Sequence, residues 1–331
     1  MTSFDLPASG MMRQIDALRD TLQVADLVES CFKLDEDAEG RHVMRQMRLT
    51  AERHRQQAQL LGHSRFPGAP QGVVWEEDGK VVGNVSVLPY QSGFRRIALL
   101  ANVAVAEAYR GRGIASGLTR QALRQVFRAA PTEVWLQVRS DNNPVVRMYR
   151  NLGFESFSSV VQWQFRVPDP PEYRPQPRHY QIVEPGFRDW RAHKAALAKA
   201  YPEKVRWYAP FSFELLSPWA KLNPRYWVDK RLMAQFAAKE KGKPEAFISL
   251  VAGDGLRDYL VLAAENDEPQ ALLALLEIAS RQARPGQILQ LEFPAGRAER
   301  VLEEFGFKAV RRLDWMHLPG NKASRLAGLG R

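Results

Sequence analysis

Apolar residues in the first half of the chain recur with two different periods, and each period predicts a type of element. Leu27, Val28, Cys31 and Phe32 lie near helical spacing, so we expect a helix over 22–53. The same two periods predict β-strands over 72–76, 81–87, 96–105, 133–138 and 154–165, and helices over 113–129 and 145–152. This order of elements is typical of an α/β domain with a mixed sheet.

The second half of the chain repeats this order. In the first half, Leu152-Gly153-Phe154 precedes a strand that contains Trp163, and in the second half Phe305-Gly306-Phe307 precedes a strand that contains Trp315. Upstream of the second tripeptide, the pattern predicts strands over 246–251, 259–263 and 288–293 and a helix over 270–282. A repeat of about 150 residues indicates a duplicated domain, because solenoid repeats have periods of about 20 to 50 residues. The alternative is a chance similarity between two α/β domains.

A proline-rich stretch separates the two halves. The segment 166–177 carries five prolines, which remove backbone donors and push the preceding residues out of helical geometry. We therefore expect an extended linker over 166–178, between an N-terminal domain over 1–165 and a C-terminal domain over 179–331.

Composition narrows the class of protein. The 331 residues are 45% hydrophobic and 25% charged, which is typical of globular proteins. No stretch approaches the roughly 18 to 20 apolar residues of a membrane span, and the N-terminus lacks a basic start followed by an apolar run. Together with a single cysteine, Cys31, this indicates a cytoplasmic protein that makes no membrane contact. The six histidines have no paired spacing, so no metal site is predicted.

The charge balance favours anionic partners. The formal net charge is +10 and the pI is about 9.8, which attracts phosphorylated or acidic molecules over a long range. Lys and Arg form no run of five or six, and no nucleic-acid-binding motif is present, so the sequence disfavours a nucleic-acid partner. A polyanionic cofactor or a generally basic surface explains the excess instead.

A basic, glycine-rich loop between a strand and a helix is the strongest local signal. The strand ends in Val103-Ala104-Val105, and the loop leads through Tyr109-Arg110-Gly111-Arg112-Gly113 into the helix that starts with Ile114-Ala115. Glycines allow the backbone to approach an anion closely, and the helix start adds free N–H groups and a positive dipole end. These features predict a diphosphate site. A P-loop sequence is absent, and the third glycine of a dinucleotide-binding fingerprint is replaced by Ser116. The alternative is a purely structural glycine turn.

Two motifs in this region resemble those of the GNAT superfamily of N-acyltransferases. Arg110-x-x-Gly113-x-Ala115 resembles the family's pyrophosphate-binding motif, and Asn142-x-x-Val145-x-x-x-Tyr149-x-x-x-Gly153-Phe154 resembles its second motif. The resemblance covers about residues 22–165, with a fainter version in the second half. It implies two GNAT-like domains in tandem, each with a mixed, mostly antiparallel twisted sheet flanked by helices and with parallel central strands that splay apart.

The resemblance also implies roles for individual residues. Pantetheine would lie between strands that end near Val105 and Val138, bonded to backbone groups of Val103 and Val105. The Val103 amide would stabilise the oxyanion, and Tyr149 would protonate the leaving thiolate. The residues implied to bind acetyl-coenzyme A, or another acyl-coenzyme A, are Val103, Ala104, Val105, Arg110, Gly111, Arg112, Gly113, Ile114, Ala115, Asn142 and Tyr149.

Structural alternatives exist for two of these residues, and the general base is open. Tyr149 also fits a core aromatic, and Asn142 also fits a helix cap. Many members of the family carry a Glu where this chain has Leu99, so the base is another group. Glu76, Asp141, the chain end and a water chain ending at backbone carbonyls are the alternatives.

The second half lacks the implied chemistry. Leu302 stands at the position of Tyr149 and Ala295 at that of Asn142, and the segment 263–269 is acidic and has no glycine. We therefore expect one working domain, which transfers an acetyl group from acetyl-coenzyme A to a primary amine on a small molecule or a peptide by direct attack. The alternatives are a non-catalytic acyl-coenzyme A sensor or interaction module, and transfer of a longer acyl or an aminoacyl group. The sequence leaves the acceptor and the oligomeric state open.

Overall fold

Contacts between residues divide the chain into two compact units. The computed structural model describes residues 10–32, 38–61, 70–129, 133–169, 180–222, 232–253 and 257–319. Unit 1 comprises Met1–Val138, Asn142–Phe157 and Trp315–Arg331, and unit 2 comprises Arg139–Asp141 and Ser158–Asp314. Among the described helices, none is both long enough and apolar enough to cross a membrane.

Unit 1 is a mixed sheet with helices on its faces. Its strands are β1 (Met11–Gln14), β2 (Gln71–Glu77), β3 (Lys80–Ser92), β4 (Arg95–Val105) and β5 (Glu133–Arg139), and its helices are α1 (Thr21–Phe32), α2 (Ala38–Leu61), α3 (Ile114–Ala129) and α4 (Asn143–Asn151). The strands follow the order β1-β2-β3-β4-β5. Neighbouring strands are antiparallel except for β4 and β5, which are parallel. A parallel pair needs a crossover connection, and α3 provides it.

Each face of this sheet has its own core. Ile114, Leu118 and Ala122 recur at helical spacing on α3 and are buried against Val85 and Leu100 of the sheet. On the opposite face, Val24, Leu27 and Val28 of α1 pack with Val81 and Ala104. The central strands β3 and β4 are therefore covered on both faces, which fixes the backbone that carries the predicted site.

Unit 2 repeats the arrangement. After β6 (Glu155–Arg166), its strands are β7 (Gln181–Val183), β8 (Leu232–Glu240), β9 (Lys243–Ala252), β10 (Arg257–Ala264), β11 (Ile288–Pro294) and β12 (Lys308–Leu318), and its helices are α5 (Trp190–Ala200), α6 (Pro269–Gln282) and α7 (Glu299–Phe305). The strand order is β12-β6-β11-β10-β9-β8-β7. Here β10 and β11 form the parallel pair, and α6 connects them.

The structure confirms the predicted fold class of two tandem α/β domains. The order β2-β3-β4-α3-β5-α4-β6 in the first half matches β8-β9-β10-α6-β11-α7-β12 in the second. In both halves the parallel pairing ends before the strands do, at Leu100 opposite Leu136 and at Leu260 opposite Leu291. Each sheet thus has splayed parallel central strands.

Three features differ from the sequence-based expectations. The segment predicted as one helix over 22–53 contains two helices, α1 and α2, and residues 33–37 between them lie outside the described ranges. At the predicted linker, Arg166 is still the last residue of β6 and pairs with Ile288, while residues 170–179 lie outside the described ranges. The units also divide at the last strand of each half, because Ser158–Arg166 belongs to unit 2 and Trp315–Leu318 to unit 1.

A buried histidine in unit 2 leads to a prediction about stability. His193 of α5 is 1% exposed and stacks on Phe247 with ring centroids 4.3 Å apart. Burial lowers the pKa of His193 from 6.5 to about 4, and nearby Asp189 offsets this only in part. The unfolded chain therefore binds a proton between pH 6.5 and 4 that the folded chain does not. Each pH unit in that window removes about 1.4 kcal/mol of stability, and about 3 kcal/mol in total.

We expect the parent chain to become less stable as the pH falls from 6.5 towards 4, and His193→Leu to lose most of this dependence. Urea unfolding at several pH values, followed by tryptophan fluorescence, measures both chains. A parent chain with a constant unfolding free energy across this window contradicts the prediction.

Candidate active site

The site begins where β4 and β5 stop pairing. Ile97 to Leu100 of β4 pair in register with Glu133 to Leu136 of β5. Beyond these pairs β4 continues to Val105 and β5 to Arg139 without further pairing between them. Two parallel strands that separate in this way leave backbone groups facing a wedge, and such groups need hydrogen-bond partners from elsewhere.

A β-bulge in β4 lies directly after this point. On the other side of β4, Ala101 pairs with Ser86 and Ala104 pairs with Asn84, so that Asn102 and Val103 together stand opposite a single residue of β3. Asn102 has φ of 51°, in the left-handed region that Asn tolerates better than most residues. The bulge removes Val103 from the ladder on the side of β3, while the end of pairing with β5 removes it on the other side.

A glycine turn connects β4 to α3. A short 3-10 helix, Glu107–Tyr109, follows β4, and then Gly111 and Gly113 adopt φ of 79° and 76°. A side chain at either position would be strained in this backbone conformation. Because α3 begins at Ile114, the first N–H groups of a 16-residue helix open onto this turn. The predicted loop residues Gly111, Gly113, Ile114 and Ala115 are thus brought together at a helix N-terminus.

Two arginines flank the turn. Arg110 donates from Nε to the Val105 carbonyl at 3.1 Å, and Arg112 donates from Nη2 to the Ala108 carbonyl at 2.9 Å. The Arg112 guanidinium also lies 5.0 Å from the centroid of the Tyr109 ring. Both side chains are exposed, and each contact uses only part of the five N–H donors of a guanidinium. The arginines are therefore oriented by the backbone while keeping donors for an anion.

The Val105 carbonyl is already engaged within the protein. Besides Arg110, the Cys31 thiol of α1 donates to it at 3.4 Å. Of the two backbone positions that the family resemblance places against pantetheine, Val103 is thus the one outside the ladder, whereas Val105 pairs with Gly83. Ala104 is buried on the face that carries α1.

Asn142 and Tyr149 lie at the start and in the middle of α4. Asn142 is the N-cap residue, but its side chain makes no capping hydrogen bond and is exposed. Tyr149 is 3% exposed and packs edge-on against Phe154, with ring centroids 5.7 Å apart. It belongs to the same apolar cluster as Ile114, and Val103 packs against that cluster. Burial raises the pKa of Tyr149 above its ordinary value of 10.

Two carboxylates that the sequence offered as bases are held in ion pairs. Glu76 accepts from Arg13 Nε at 2.6 Å and from Arg19 Nη2 at 2.5 Å. The Arg13 hydrogen bond lowers the pKa of Glu76, which weakens this carboxylate as a base. In unit 2, Asp141 accepts from Arg139 at 2.6 Å, and this bond lowers its pKa in the same way. The chain end lies outside the described residues.

The corresponding region of unit 2 has neither the bulge nor the glycine turn. Asp258 to Ala264 of β10 pair with β9 without a register shift. The guanidinium of Arg297 donates to the Ala264 carbonyl at 2.9 Å and to Asp267 at 2.6 Å, and lies 5.2 Å from the centroid of the Phe293 ring. Arg297 thus joins the ends of β10 and β11, where unit 1 keeps its wedge open. Within the described residues, no group of three His, Cys, Asp or Glu side chains is placed to hold a metal ion.

Comparisons with known proteins agree with this geometry. Residues 29–154 match the model of the acetyltransferase (GNAT) family. The chain is 34% identical over 101 residues to Acetyltransferase SG1711 of Sodalis glossinidius, which covers 30% of this chain and 68% of that protein. It is 35% identical over 95 residues to an N-alpha-acetyltransferase of Sulfurisphaera tokodaii, which covers 25% of this chain and 54% of that protein.

A solved structure with the same fold spans nearly the whole chain. The GCN5-related N-acetyltransferase from Sphaerobacter thermophilus superposes with a TM-score of 0.58 at 17% identity, covering 94% of this chain and 96% of that protein. At this identity the superposition shows the fold, while the sequence relatives show the family. The chain therefore belongs to the acetyltransferase (GNAT) family and is an acyl-coenzyme A-dependent N-acyltransferase.

Sequence reasoning did not identify Asn84. Its side chain is fully buried, and its Nδ2 donates to the Asn102 carbonyl at 2.8 Å and to Ser86 Oγ at 3.0 Å. The sequence does carry a signal for it, namely a polar residue inside the apolar run 81–87. A strand that is buried on both faces accommodates such a residue only if its side chain has a hydrogen-bond partner.

The ion pairs of Glu76 lead to a prediction about catalysis. We expect Glu76→Gln to leave kcat within about 2-fold of the parent value, with an unchanged pH profile, because a carboxylate held by two guanidinium groups contributes no base. The same variant should unfold at a lower temperature, since Arg13 and Arg19 lose an anionic partner. Steady-state kinetics from pH 6 to 9 and thermal unfolding measure the two effects. A shift of the pH profile would return Glu76 to the mechanism.

Proposed function

We propose that unit 1 transfers an acetyl group from acetyl-coenzyme A to a primary amine of a small molecule or a peptide. The amine attacks the thioester carbonyl directly, through a tetrahedral intermediate. The observation that carries this proposal is the bulge at Asn102 and Val103 beside the end of β4–β5 pairing, within a few residues of the glycine turn of α3.

The residues around the turn fit the diphosphate of coenzyme A. The left-handed conformations of Gly111 and Gly113 leave no Cβ near the backbone amides at the start of α3. Successive amides at a helix N-terminus and two guanidinium groups provide both donors and positive charge. Each guanidinium contact with a phosphate contributes about 1.5 to 3 kcal/mol. Arg110 and Arg112 would hold the diphosphate, and Asn142, whose side chain makes no cap bond, would hold the pantetheine arm.

When bound, acetyl-coenzyme A supplies an activated acyl carbon on a thioester. The backbone amide of Val103 donates to the carbonyl oxygen as negative charge develops on it. Loss of one such preorganised donor costs about 2.7 to 4 kcal/mol in other enzymes. Val103 suits this role because it has no register partner in β3 or β5.

Tyr149 donates a proton to the departing thiolate. Its raised pKa keeps the phenol protonated at neutral pH, and the ordinary pKa of a phenol already lies above that of a thiol. A chain of water molecules that ends at backbone carbonyls removes the proton from the amine. This follows because Leu99 stands where many members of the family have a Glu, and because the described alternatives Glu76 and Asp141 are held in ion pairs.

A charge placed in the turn should abolish cofactor binding. We expect Gly113→Glu to show no saturable binding of acetyl-coenzyme A by calorimetry, because the carboxylate repels the diphosphate and the side chain distorts the turn. Gly79→Glu is the matched control, because Gly79 has the same φ of 76° and lies in the β2–β3 turn with open space around its Cβ position. Equal affinity of the parent and Gly113→Glu would remove the turn from the site.

Removal of the phenolic hydroxyl should affect chemistry and not binding. We expect Tyr149→Phe to lower kcat by about 10²-fold, the usual contribution of a general acid, with the Kd for acetyl-coenzyme A unchanged. Tyr201→Phe is the control, because Tyr201 of unit 2 is half-buried and its hydroxyl accepts from the Leu262 amide at 3.2 Å. An unchanged kcat for Tyr149→Phe would leave Tyr149 as a core residue.

A further inference from the structure

We propose that the side chain of Asn84 is the positioning residue that aims the Val103 amide into the wedge between β4 and β5. This inference rests on the proposed function for its catalytic consequence, but its structural part concerns residues of this chain alone. It starts from the hydrogen bond of 2.8 Å that Asn84 Nδ2 donates to the carbonyl oxygen of Asn102.

The bond acts on the peptide unit that contains the Val103 amide. The carbonyl of Asn102 and the N–H of Val103 belong to one planar, trans peptide group, so the two bonds point in opposite directions. Because β3 and β5 lie on opposite sides of β4, a carbonyl held towards Asn84 of β3 directs the N–H towards β5. On that side the pairing has already ended at Leu100. Asn84 therefore sets the direction of the donor without touching the substrate.

This peptide unit lies outside the register of the ladder. Asn102 and Val103 have no register partner in either neighbouring strand, and Asn102 is in the left-handed region. A bulge leaves its extra residue unpaired, so a side chain that bonds to this peptide group restrains the direction of the group. The hydrogen bond from the Asn84 side chain to the Asn102 carbonyl provides this restraint.

The orientation of the Asn84 amide is unambiguous. The Asn102 carbonyl only accepts hydrogen bonds, so it must face the NH2 group and not Oδ1. Ser86 Oγ, 3.0 Å away, receives the second proton of Nδ2. Asn84 Oδ1 is buried and makes no hydrogen bond to the described residues. A fully buried amide that leaves its acceptor unsatisfied is destabilising, and retention of such a group is typical of functional sites.

A hydrogen bond to the Asn102 carbonyl also strengthens the donor at its other end. Charge drawn towards the carbonyl oxygen polarises the peptide group and makes its N–H a better donor, as in other chains of hydrogen bonds. Asn84 thus affects the oxyanion site in two ways. It sets the direction of the Val103 N–H, and it polarises the peptide group that carries this N–H.

The structural part can be tested without turnover. The chain contains two Asn-Val dipeptides, Asn84-Val85 and Asn102-Val103. A sample with ¹³C-carbonyl Asn and ¹⁵N-Val should therefore give two amide signals in a carbonyl-filtered NMR spectrum. Asn84→Ala deletes one of them and so assigns the other to Val103. We expect the Val103 signal to move in Asn84→Ala and in Asn84→Leu, and to stay in place in the control Ser86→Ala, which keeps the bond to Asn102. An unmoved Val103 signal in both Asn84 variants would overturn the proposal.

The catalytic part of the proposal predicts a lower kcat with little change in the binding of acetyl-coenzyme A. Loss of a whole oxyanion donor costs about 10²- to 10³-fold in kcat, so a misdirected donor should cost about 10- to 100-fold. We expect this loss in both Asn84 variants, with the Kd for acetyl-coenzyme A within about 3-fold of the parent, while Ser86→Ala keeps parental kcat. Asn84→Leu keeps a side chain that branches at Cγ and serves as the second variant if Asn84→Ala unfolds. Parental kcat in the Asn84 variants would overturn the inference alone, whereas absence of transfer by the parent chain would overturn the proposed function and leave the NMR result standing.

Discussion

The loss of pairing between β4 and β5 beyond Leu100 is the constraint on which the rest of the site depends. A parallel pair that ends early leaves backbone groups without partners, and folding tolerates this only where the surrounding strands are fixed. Here β3 and β4 are buried on both faces, by α3 on one side and α1 on the other. The rigid core thus supports an open edge, and the bulge at Asn102 lies at that edge.

Unit 2 has the same fold but lacks the bulge and the glycine turn. Its parallel strands also separate, after Leu260 and Leu291, so the separation is common to both units. Its central strand has a regular register, and the loop before α6 carries Asp267 in place of glycines. Arg297 bonds to that aspartate and to the end of β10. The two units therefore share the arrangement of the sheet, while in unit 2 an internal ion pair lies where unit 1 has the glycine turn.

The sequence predicted an element well where the spacing of apolar residues or a short motif is enough to locate it. The period of apolar residues located β4, α3 and β5 to within one residue at each end, whereas β3 continues to Ser92, beyond its predicted end at 87. The loop motif located the turn of Gly111 and Gly113. The prediction failed at α1 and α2, where two consecutive helices share one apolar period and were predicted as a single helix. It also missed the pairing of Asn84 with Asn102, because a bulge depends on register between strands 18 residues apart in sequence, and register is not visible in a single strand.

Part of the last strand of each half belongs to the other compact unit, and this has a consequence for biosynthesis. Trp315, Met316 and Leu318 are buried in unit 1, and Trp135 of β5 contacts the rings of Trp315 and His317. Domains emerging from the ribosome generally fold in order, the N-terminal one first. In this chain the N-terminal unit lacks residues 315–318 until the intervening residues 158–314 of unit 2 have been translated. Completion of unit 1 is thus coupled to synthesis of unit 2.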